Sequence, residues 1–234
     1  MQQSKPGEHH DNAHLVERQM LFHDALEKAG RPAAASARSS RYQFLTVSRQ
    51  IGSLGSDIVQ ELAGHLGWRV YDKEIVENIA RSANVRERLV EQLDEKAQNL
   101  VHETVRRFLR MAEGGSFGLE EYHEGLLRTL AGLAAKGSAI LVGRGANFAL
   151  QGQRDGMHLR IVASDEIRVE RLRQRWGLSL PDTLRKMHEI DAERSNYIRH
   201  HFKHEIGDPR FYDLILNTDR LAPPQVVATI LTVI

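Results

Sequence analysis

Short apolar segments rich in β-branched residues alternate with longer segments of helical periodicity along most of this chain. The segments FLTVS, WRVY, AILV, HLRIVA and LILN each have the length of one buried strand. Between them, apolar residues recur at helical spacing, as in IVQELAGHLG, which ends at Gly67. Strands that alternate with helices build a parallel sheet with helices on both faces. The sequence therefore predicts an α/β domain with a five-stranded parallel sheet.

Composition excludes several classes of function. The chain has 234 residues, and its 32 Lys and Arg balance its 31 Asp and Glu, so it lacks the basic excess that nucleic-acid binding favours. No run of about 18 apolar residues occurs, and the first residues lack the apolar core of a secretory signal. Cys is absent, as is common in reducing compartments. We expect a cytoplasmic protein that binds neither nucleic acid nor a membrane.

The first 42 residues differ from the rest of the chain. Residues 14–29 have one patchy apolar face at helical spacing, and the stretch GRPAAASARSSR that follows has the small residues, Gly and Pro of a linker. We expect residues 1–42 to form a mobile tail with one helix and a linker. A single domain is then expected over residues 43–234.

The loop after the first strand has the form of an anion-binding turn. It reads SRQIGSLGSD over residues 48–57 and leads directly into a helix. Gly52 and Gly55 allow backbone amides to converge, and the helix N-terminus adds positive potential. A standard phosphate loop continues with Lys and a hydroxyl residue, whereas this chain has Ser56 and Asp57 there. From these residues alone, the loop either binds phosphate or is a tight structural turn.

Five segments in order resemble the cytidylate kinase-like family: TVSRQIGSLGSDIVQELAGHLG, YDKEIVENIA, ILVGRGANFAL, RIVASDEIRVERL and DPRFYDLILNT. The resemblance covers about residues 43–234. It implies a P-loop nucleotide kinase fold with a helical acceptor-binding insertion at about 73–136 and a lid at about 177–206. It also implies phosphoryl transfer from ATP, with Mg²⁺, to a nucleoside monophosphate, most naturally CMP. Small-molecule nucleotides would then be its partners.

Two other functions stay open. Ser56 replaces the usual Lys, and Val142 and Gly145 stand where cytidylate kinases carry two aspartates. A nucleotide-binding or regulatory protein with little kinase activity fits these losses. A kinase for another small substrate is the third reading, because the insertion sets specificity.

The resemblance assigns the first loop to the ATP phosphates. Its backbone amides would come from Gly52, Ser53, Gly55 and Ser56. Arg49 would offset the missing Lys, or would pair with a nearby carboxylate. Asp57 would bind Mg²⁺ or complement the helix dipole. Asn217 and Thr218 close the fifth strand, where related kinases hold adenine, although a turn alone would explain both residues.

The resemblance also assigns the acceptor side and the lid. Arg144, in the motif GRG, is the predicted ligand of the acceptor phosphate, with a buried structural arginine as the rival reading. Asp72 would bind the acceptor or cap a helix. Arg194 and Arg199 would reach phosphate from the lid.

Arginines at the base of the lid are candidates for the same chemistry. Arg171 and Arg175 follow Arg168 at helical spacing, so one face carries three guanidinium groups, or an ordinary salt-bridged surface. The three histidines at 200, 201 and 204 are interpreted as a surface or lid cluster rather than a zinc site.

Overall fold

A computed structural model describes residues 41–112 and 121–234 of the chain. The tail predicted for residues 1–42 lies outside the described residues, apart from its last two. Within the described part, no helix is long and apolar enough to cross a membrane.

Strands and helices alternate in the described residues. The strands are β1 (Phe44–Arg49), β2 (Arg69–Tyr71), β3 (Ala139–Val142), β4 (Gly156–Val162) and β5 (Leu214–Asn217). The first helices are α1 (Gly55–Leu66), α2 (Lys73–Arg81), α3 (Ala83–Glu91), α4 (Glu95–Ala112) and α5 (Glu121–Lys136). The later ones are α6 (Ala146–Ala149), α7 (Asp165–Trp176), α8 (Leu180–Phe202) and α9 (Pro223–Val233).

The five strands form one parallel sheet in the order β2-β3-β1-β4-β5. Successive side chains face opposite sides, as the period of a strand requires. Phe44 and Leu141 pack beneath α2–α6 and α8, whereas Leu45 and Ile140 pack against α1 and α9. The predicted α/β fold, with five parallel strands and helices on both faces, is confirmed. The carboxyl ends of β1, β3 and β4 meet at one edge of the sheet.

Two helical regions take forms that sequence periodicity did not specify. The stretch 73–112 divides into α2, α3 and α4, because Ser82 adopts an extended backbone and Asp94 accepts a hydrogen bond from the Ala97 amide ahead of α4. The polar stretch after Gly177 forms one helix of 23 residues, α8. The Ser179 hydroxyl accepts a hydrogen bond from the Asp182 amide at its start.

Helix α8 connects two parts of the molecule. Near its start, Met187 is fully buried against Val169 and Leu172 of α7. Near its end, Ile198 and Phe202 enter the apolar cluster formed by α2–α6. The middle of α8 is therefore held across the edge where the strands end.

A histidine pair joins the end of α8 to α5. The His123 ring stacks on that of His201, with 5.0 Å between centroids and 10° between planes. His123 is buried, and neither of its ring nitrogens has a hydrogen-bond partner among the described residues. Burial lowers the pKa of His123 from 6.5 to about 4, and the nearby His201 and His200 add to the lowering.

The low pKa of His123 makes stability depend on pH. The unfolded chain protonates this histidine near pH 6.5, whereas the folded chain does so only near pH 4. The contribution of His123 to the free energy of unfolding is therefore fully present above pH 6.5 and is lost as the pH falls to about 4. The size of this pKa shift limits the loss of unfolding free energy to roughly 3 kcal/mol. We expect His123→Leu to remove this part of the decline in urea unfolding followed between pH 7 and pH 4. His65→Gln, at an exposed position on α1, should keep the decline, and a curve unchanged in His123→Leu would contradict the assignment.

Candidate functional site

Two adjoining cavities open where the strands end. The loop pocket, about 320 Å³, lies between the first loop, the start of α1 and α7. The strand-end pocket, about 370 Å³, lies between the ends of β1 and β3, the start of α2, and α8. Arg49 and Arg194 line both cavities, so two guanidinium groups stand at their junction. A ligand in one pocket would meet a ligand in the other at these arginines.

The backbone of the first loop is held from outside the loop pocket. The Arg49 carbonyl accepts from Arg194 at 2.9 Å, and the Gln50 carbonyl accepts from the Ser53 hydroxyl at 2.9 Å. The next three carbonyls accept from side chains of other elements: Ile51 from Arg168 at 3.1 Å, Gly52 from Arg171 at 3.3 Å, and Ser53 from Thr218 at 3.1 Å. Five consecutive carbonyl groups are therefore engaged by the surrounding protein.

The amides of the same loop are available to a ligand. No described residue accepts a hydrogen bond from the amides of Gly52, Leu54, Gly55, Ser56 and Asp57. All five residues line the loop pocket at the N-terminus of α1. Converging free amides at a helix N-terminus form a cradle for an anion. This geometry favours phosphate binding over a purely structural turn.

Two residues allow the loop to close tightly. Leu54 has φ of 60°, in the left-handed region where a branched side chain is unusual. At Gly55, an added Cβ would lie 2.7 Å from the Cβ of Arg49, so only glycine fits. The second glycine of the loop is thus required by packing against the end of β1.

Helix α7 contributes three arginines with different roles. Arg168 is 3% exposed and binds Asp165 and Asp191, so it is part of the framework. Arg171 lines the loop pocket while bonded to the hydroxyl and the carbonyl of Thr218 at 3.0 and 2.7 Å. Arg175 is exposed and lines the same pocket. The face predicted to carry three guanidinium groups therefore offers two of them to a ligand.

Asp191 fastens the middle of α8 to the loop. Its carboxylate accepts from the Ile51 amide at 3.1 Å and pairs with Arg168. Asp191 also lies 3.7 Å from the Arg194 guanidinium. These contacts fix Arg194 between the two pockets. Burial lowers the pKa of Arg194, since only part of its charge is compensated.

Arg49 is a largely buried cation without a partner. Its guanidinium makes no hydrogen bond or ion pair with any described residue, and its Nε is buried. Burial, with a smaller effect of the nearby Arg194 charge, lowers the pKa of Arg49 to about 10, although the Asp72 carboxylate opposes this shift. An isolated buried charge is costly, so a bound anion would stabilise this group. Among the described residues, no carboxylate forms an ion pair with Arg49, although Asp72 is near enough to raise its pKa.

The motif GRG places Arg144 in the strand-end pocket. Gly143, Arg144 and Gly145 have φ of 81°, 49° and 70°, three consecutive left-handed residues. An added Cβ at Gly145 would lie 2.1 Å from the Phe202 ring, so this position also requires glycine. The Arg144 guanidinium pairs with Glu77 at 2.6 Å and lies 4.5 Å from the centroid of the Tyr197 ring. Arg144 is therefore a neutralised cation, unlike Arg49.

The remaining predicted residues are placed less centrally. Asp72 caps α2 by accepting from the amides of Glu74 and Ile75, both at 3.1 Å. Asn217 is exposed and accepts from the Asp219 amide at 2.8 Å. Arg199 is exposed and pairs with Glu205 at 3.0 Å. None of the three lines either pocket, and their predicted roles stay predictions.

Three residues have supporting roles that the sequence alone did not reveal. Thr218, which closes β5 beside Asn217, is buried and supports both the loop and Arg171. Ser48 lines the strand-end pocket near the end of β1. Their positions at strand ends made both residues site candidates in the sequence. Sequence reasoning missed Arg160, which is 8% exposed in β4, although a charged residue inside the apolar run HLRIVA was a visible signal.

Comparison with known proteins identifies the family of the chain. A profile of the cytidylate kinase-like family matches residues 44–220. The chain belongs to the cytidylate kinase-like family. A search of curated protein sequences found no significant match. Membership in this family supports a phosphotransfer function.

Solved structures show related folds. The crystal structure of an uncharacterized protein from Eubacterium ventriosum shares 19% identity with a TM-score of 0.63, over 82% of this chain and 97% of that one. A shikimate kinase from Acinetobacter baumannii in complex with shikimate shares 14%, with a TM-score of 0.42 over 82% and 92% of the chains. A sugar kinase from Janibacter shares 16%, with a TM-score of 0.44 over 82% and 93%. The first similarity concerns the fold alone, and the other two are too distant to support an argument.

Gly143 offers a test of Arg49 as an anion ligand. An added Cβ would lie 2.8 Å from Nη1 of Arg49, whereas at Gly67, also with positive φ, it would meet nothing within 4 Å. Both Gly→Ala variants should lose about 1–2 kcal/mol of stability from backbone strain. Only Gly143→Ala should displace Arg49 and weaken phosphate binding, by about tenfold. Calorimetric titration with inorganic phosphate measures this, and equal affinities in the two variants would show that Arg49 is not a ligand.

Proposed function

We propose that the protein transfers the γ-phosphoryl group of ATP to a nucleoside monophosphate, and that CMP is its acceptor. The observation that carries the proposal is the pair of pockets joined at Arg49 and Arg194. Each pocket has its own cationic lining, so each can hold a phosphorylated ligand. Phosphoryl transfer requires two such ligands in line, with positive charge where they meet.

The loop pocket is the proposed site for the ATP phosphates. Its five free amides cradle the phosphates, and Arg171 and Arg175 add charge from α7. Both arginines line the same pocket as Ser56, which stands at the position where a standard phosphate loop carries a Lys. Asp57 is the acid among the residues lining this pocket. Mg²⁺ in such sites takes one or two carboxylates besides phosphates and water, so Asp57 fits as its protein ligand.

The strand-end pocket is the proposed site for the acceptor. Lys73, Arg144, Arg49 and Arg194 line it, against the single exposed acid Glu193. An excess of cations selects a negatively charged acceptor. The volume of about 370 Å³ suits a small ligand.

The junction favours a phosphate over an alcohol as the attacking group. An oxygen of the acceptor phosphate would attack the γ-phosphorus of ATP. The bond from that phosphorus to the bridging oxygen would break, and ADP would leave with the electron pair. A phosphate dianion has no proton to lose, whereas an alcohol needs a base. Asp191, the carboxylate at the junction, is already engaged by Arg168 and the Ile51 amide.

A nucleotide-binding or regulatory protein is the second candidate. It is favoured by Ser56 at the position of the catalytic Lys and by the absence of both aspartates beside Arg144. In that case ATP and a monophosphate would bind without reacting.

Release of ADP separates the two candidates. We expect purified protein with ATP and Mg²⁺ to release ADP when CMP is added, and to do so faster than with AMP, GMP or UMP. A coupled assay for ADP, with calorimetric titration of each nucleotide, measures both steps. Binding of ATP and CMP without ADP release would establish the regulatory function, and ADP release with another acceptor alone would exclude CMP.

Arg144 can be tested together with its partner. Arg144→Ala should raise the KM for CMP by about tenfold or more, since it removes a cation from the pocket and leaves the adjacent Glu77 carboxylate without its ion-pair partner. The KM for ATP should stay unchanged. The matched control is Arg144→Ala combined with Glu77→Ala, which removes both charges. A high KM in the double variant supports a contact with the acceptor, whereas a return to the original KM would assign the effect to Glu77 alone.

A further inference from the structure

A buried arginine lies behind the wall of the strand-end pocket. Arg160 is in β4, next to β1, and is 8% exposed. No carboxylate among the described residues lies within ion-pair distance of it. A buried charge without a counter-ion costs several kcal/mol. An apolar residue at this position would avoid that cost, so the presence of an arginine here needs another explanation.

The contacts of Arg160 lead to the pocket. Its Nη1 donates to the Ser48 hydroxyl at 2.8 Å, across the register pair of β1 and β4. It also lies 3.5 Å from the Tyr212 hydroxyl, whose own proton is donated to the Ile206 carbonyl at 2.6 Å. Ser48 and Ile206 both line the strand-end pocket. Arg160 therefore reaches the pocket through neutral groups.

Ser48 has one donor left to use. Its oxygen accepts from Arg160, and no described residue accepts its proton. A hydroxyl that receives a bond from a cation is a stronger donor through its own proton. Ser48 precedes Arg49 at the end of β1, and both residues line the strand-end pocket.

Charge at this end of the pocket is strongly unbalanced. Arg194 lies near both Arg49 and Arg160. Of the carboxylates nearby, Asp191 is shared with Arg168, and Asp72 lies close enough to Arg49 to raise its pKa without pairing with it. The charge of Arg160 contributes to lowering the pKa of Arg194. A ligand with two negative charges would compensate this excess.

We propose that Arg160 and Ser48 form a donor relay that binds the phosphate group of the acceptor and so selects a phosphorylated ligand over its uncharged counterpart. The proposal rests on the proposed function for the identity of the pocket. Ser48 touches the ligand. Arg160 is a positioning residue that acts through Ser48.

The test compares CMP with cytidine, which lacks the phosphate. In calorimetric titration, Arg160→Met should weaken CMP binding by about tenfold or more while leaving cytidine binding unchanged. The melting temperature without ligand should be equal or higher, because an uncompensated charge has been removed. Inorganic phosphate should raise the melting temperature of the unaltered protein more than that of the variant.

Two further variants make the test specific. Ser48→Ala should weaken CMP binding to a similar degree, and combining it with Arg160→Met should add little, because both act through one hydrogen bond. The control is Arg107→Met. Arg107 is a half-buried cation bonded to backbone carbonyls, including that of Ala149 at 2.7 Å, and it lines neither pocket. The Arg107→Met variant should therefore bind CMP with unchanged affinity.

The outcomes test the Arg160–Ser48 relay separately from the proposed kinase reaction. A lower melting temperature with full CMP affinity in Arg160→Met would make Arg160 structural and the relay wrong, even if the protein phosphorylates CMP. Full CMP affinity in Ser48→Ala would overturn it equally. Weakened binding of phosphate and CMP in both variants, without ADP release by the unaltered protein, would support the relay and reject the proposed kinase function. Absence of CMP and phosphate binding to the unaltered protein would reject both.

Discussion

The site depends on how the backbone of the first loop is oriented. Carbonyl groups from Arg49 to Ser53 are each bonded from the protein side, by partners that include Arg168, Arg171 and Thr218. The amides of Gly52 and of residues 54–57 have no partner among the described residues and stay available to an anion. The donors that hold the carbonyls come from α7, from α8, from the loop itself and from Thr218 just after β5. The loop therefore takes this form only when these elements are assembled.

Helix α8 places the positive charge of Arg194 beside this loop, and the Asp191 carboxylate of the same helix compensates part of that charge. Asp191 bonds the Ile51 amide and holds Arg194 over the junction. The Arg49 guanidinium forms no hydrogen bond or ion pair with the residues that the structure describes. A protein that keeps buried cations uncompensated sacrifices stability, and such groups commonly mark binding or catalytic sites. The imbalance is concentrated where the two pockets meet, which is where a transferring phosphoryl group would need it.

Much of the fold could be predicted from local patterns. Five apolar segments and the helices between them specified the parallel sheet, and the loop with Gly52 and Gly55 specified where an anion could bind. The role of the GRG glycines also follows from their residue type, since the structure needs left-handed backbone there. The individual tasks of the arginines did not follow. Arg168 and Arg171 share one helical face, yet one belongs to the framework and the other lines a pocket.

The sequence by itself determined the order of strands and helices along the chain, the position of the glycine-containing loop after β1, and the family to which the chain belongs. These depend on the period of apolar residues and on glycine, which are local properties of the chain. Tertiary structure alone decided which cations are neutralised. Arg144 pairs with Glu77 at the start of the insertion, whereas Arg49 and Arg160 form no ion pair with a carboxylate in the described part of the chain. Charge compensation depends on distances between residues that are far apart in the sequence, and only packing sets those distances.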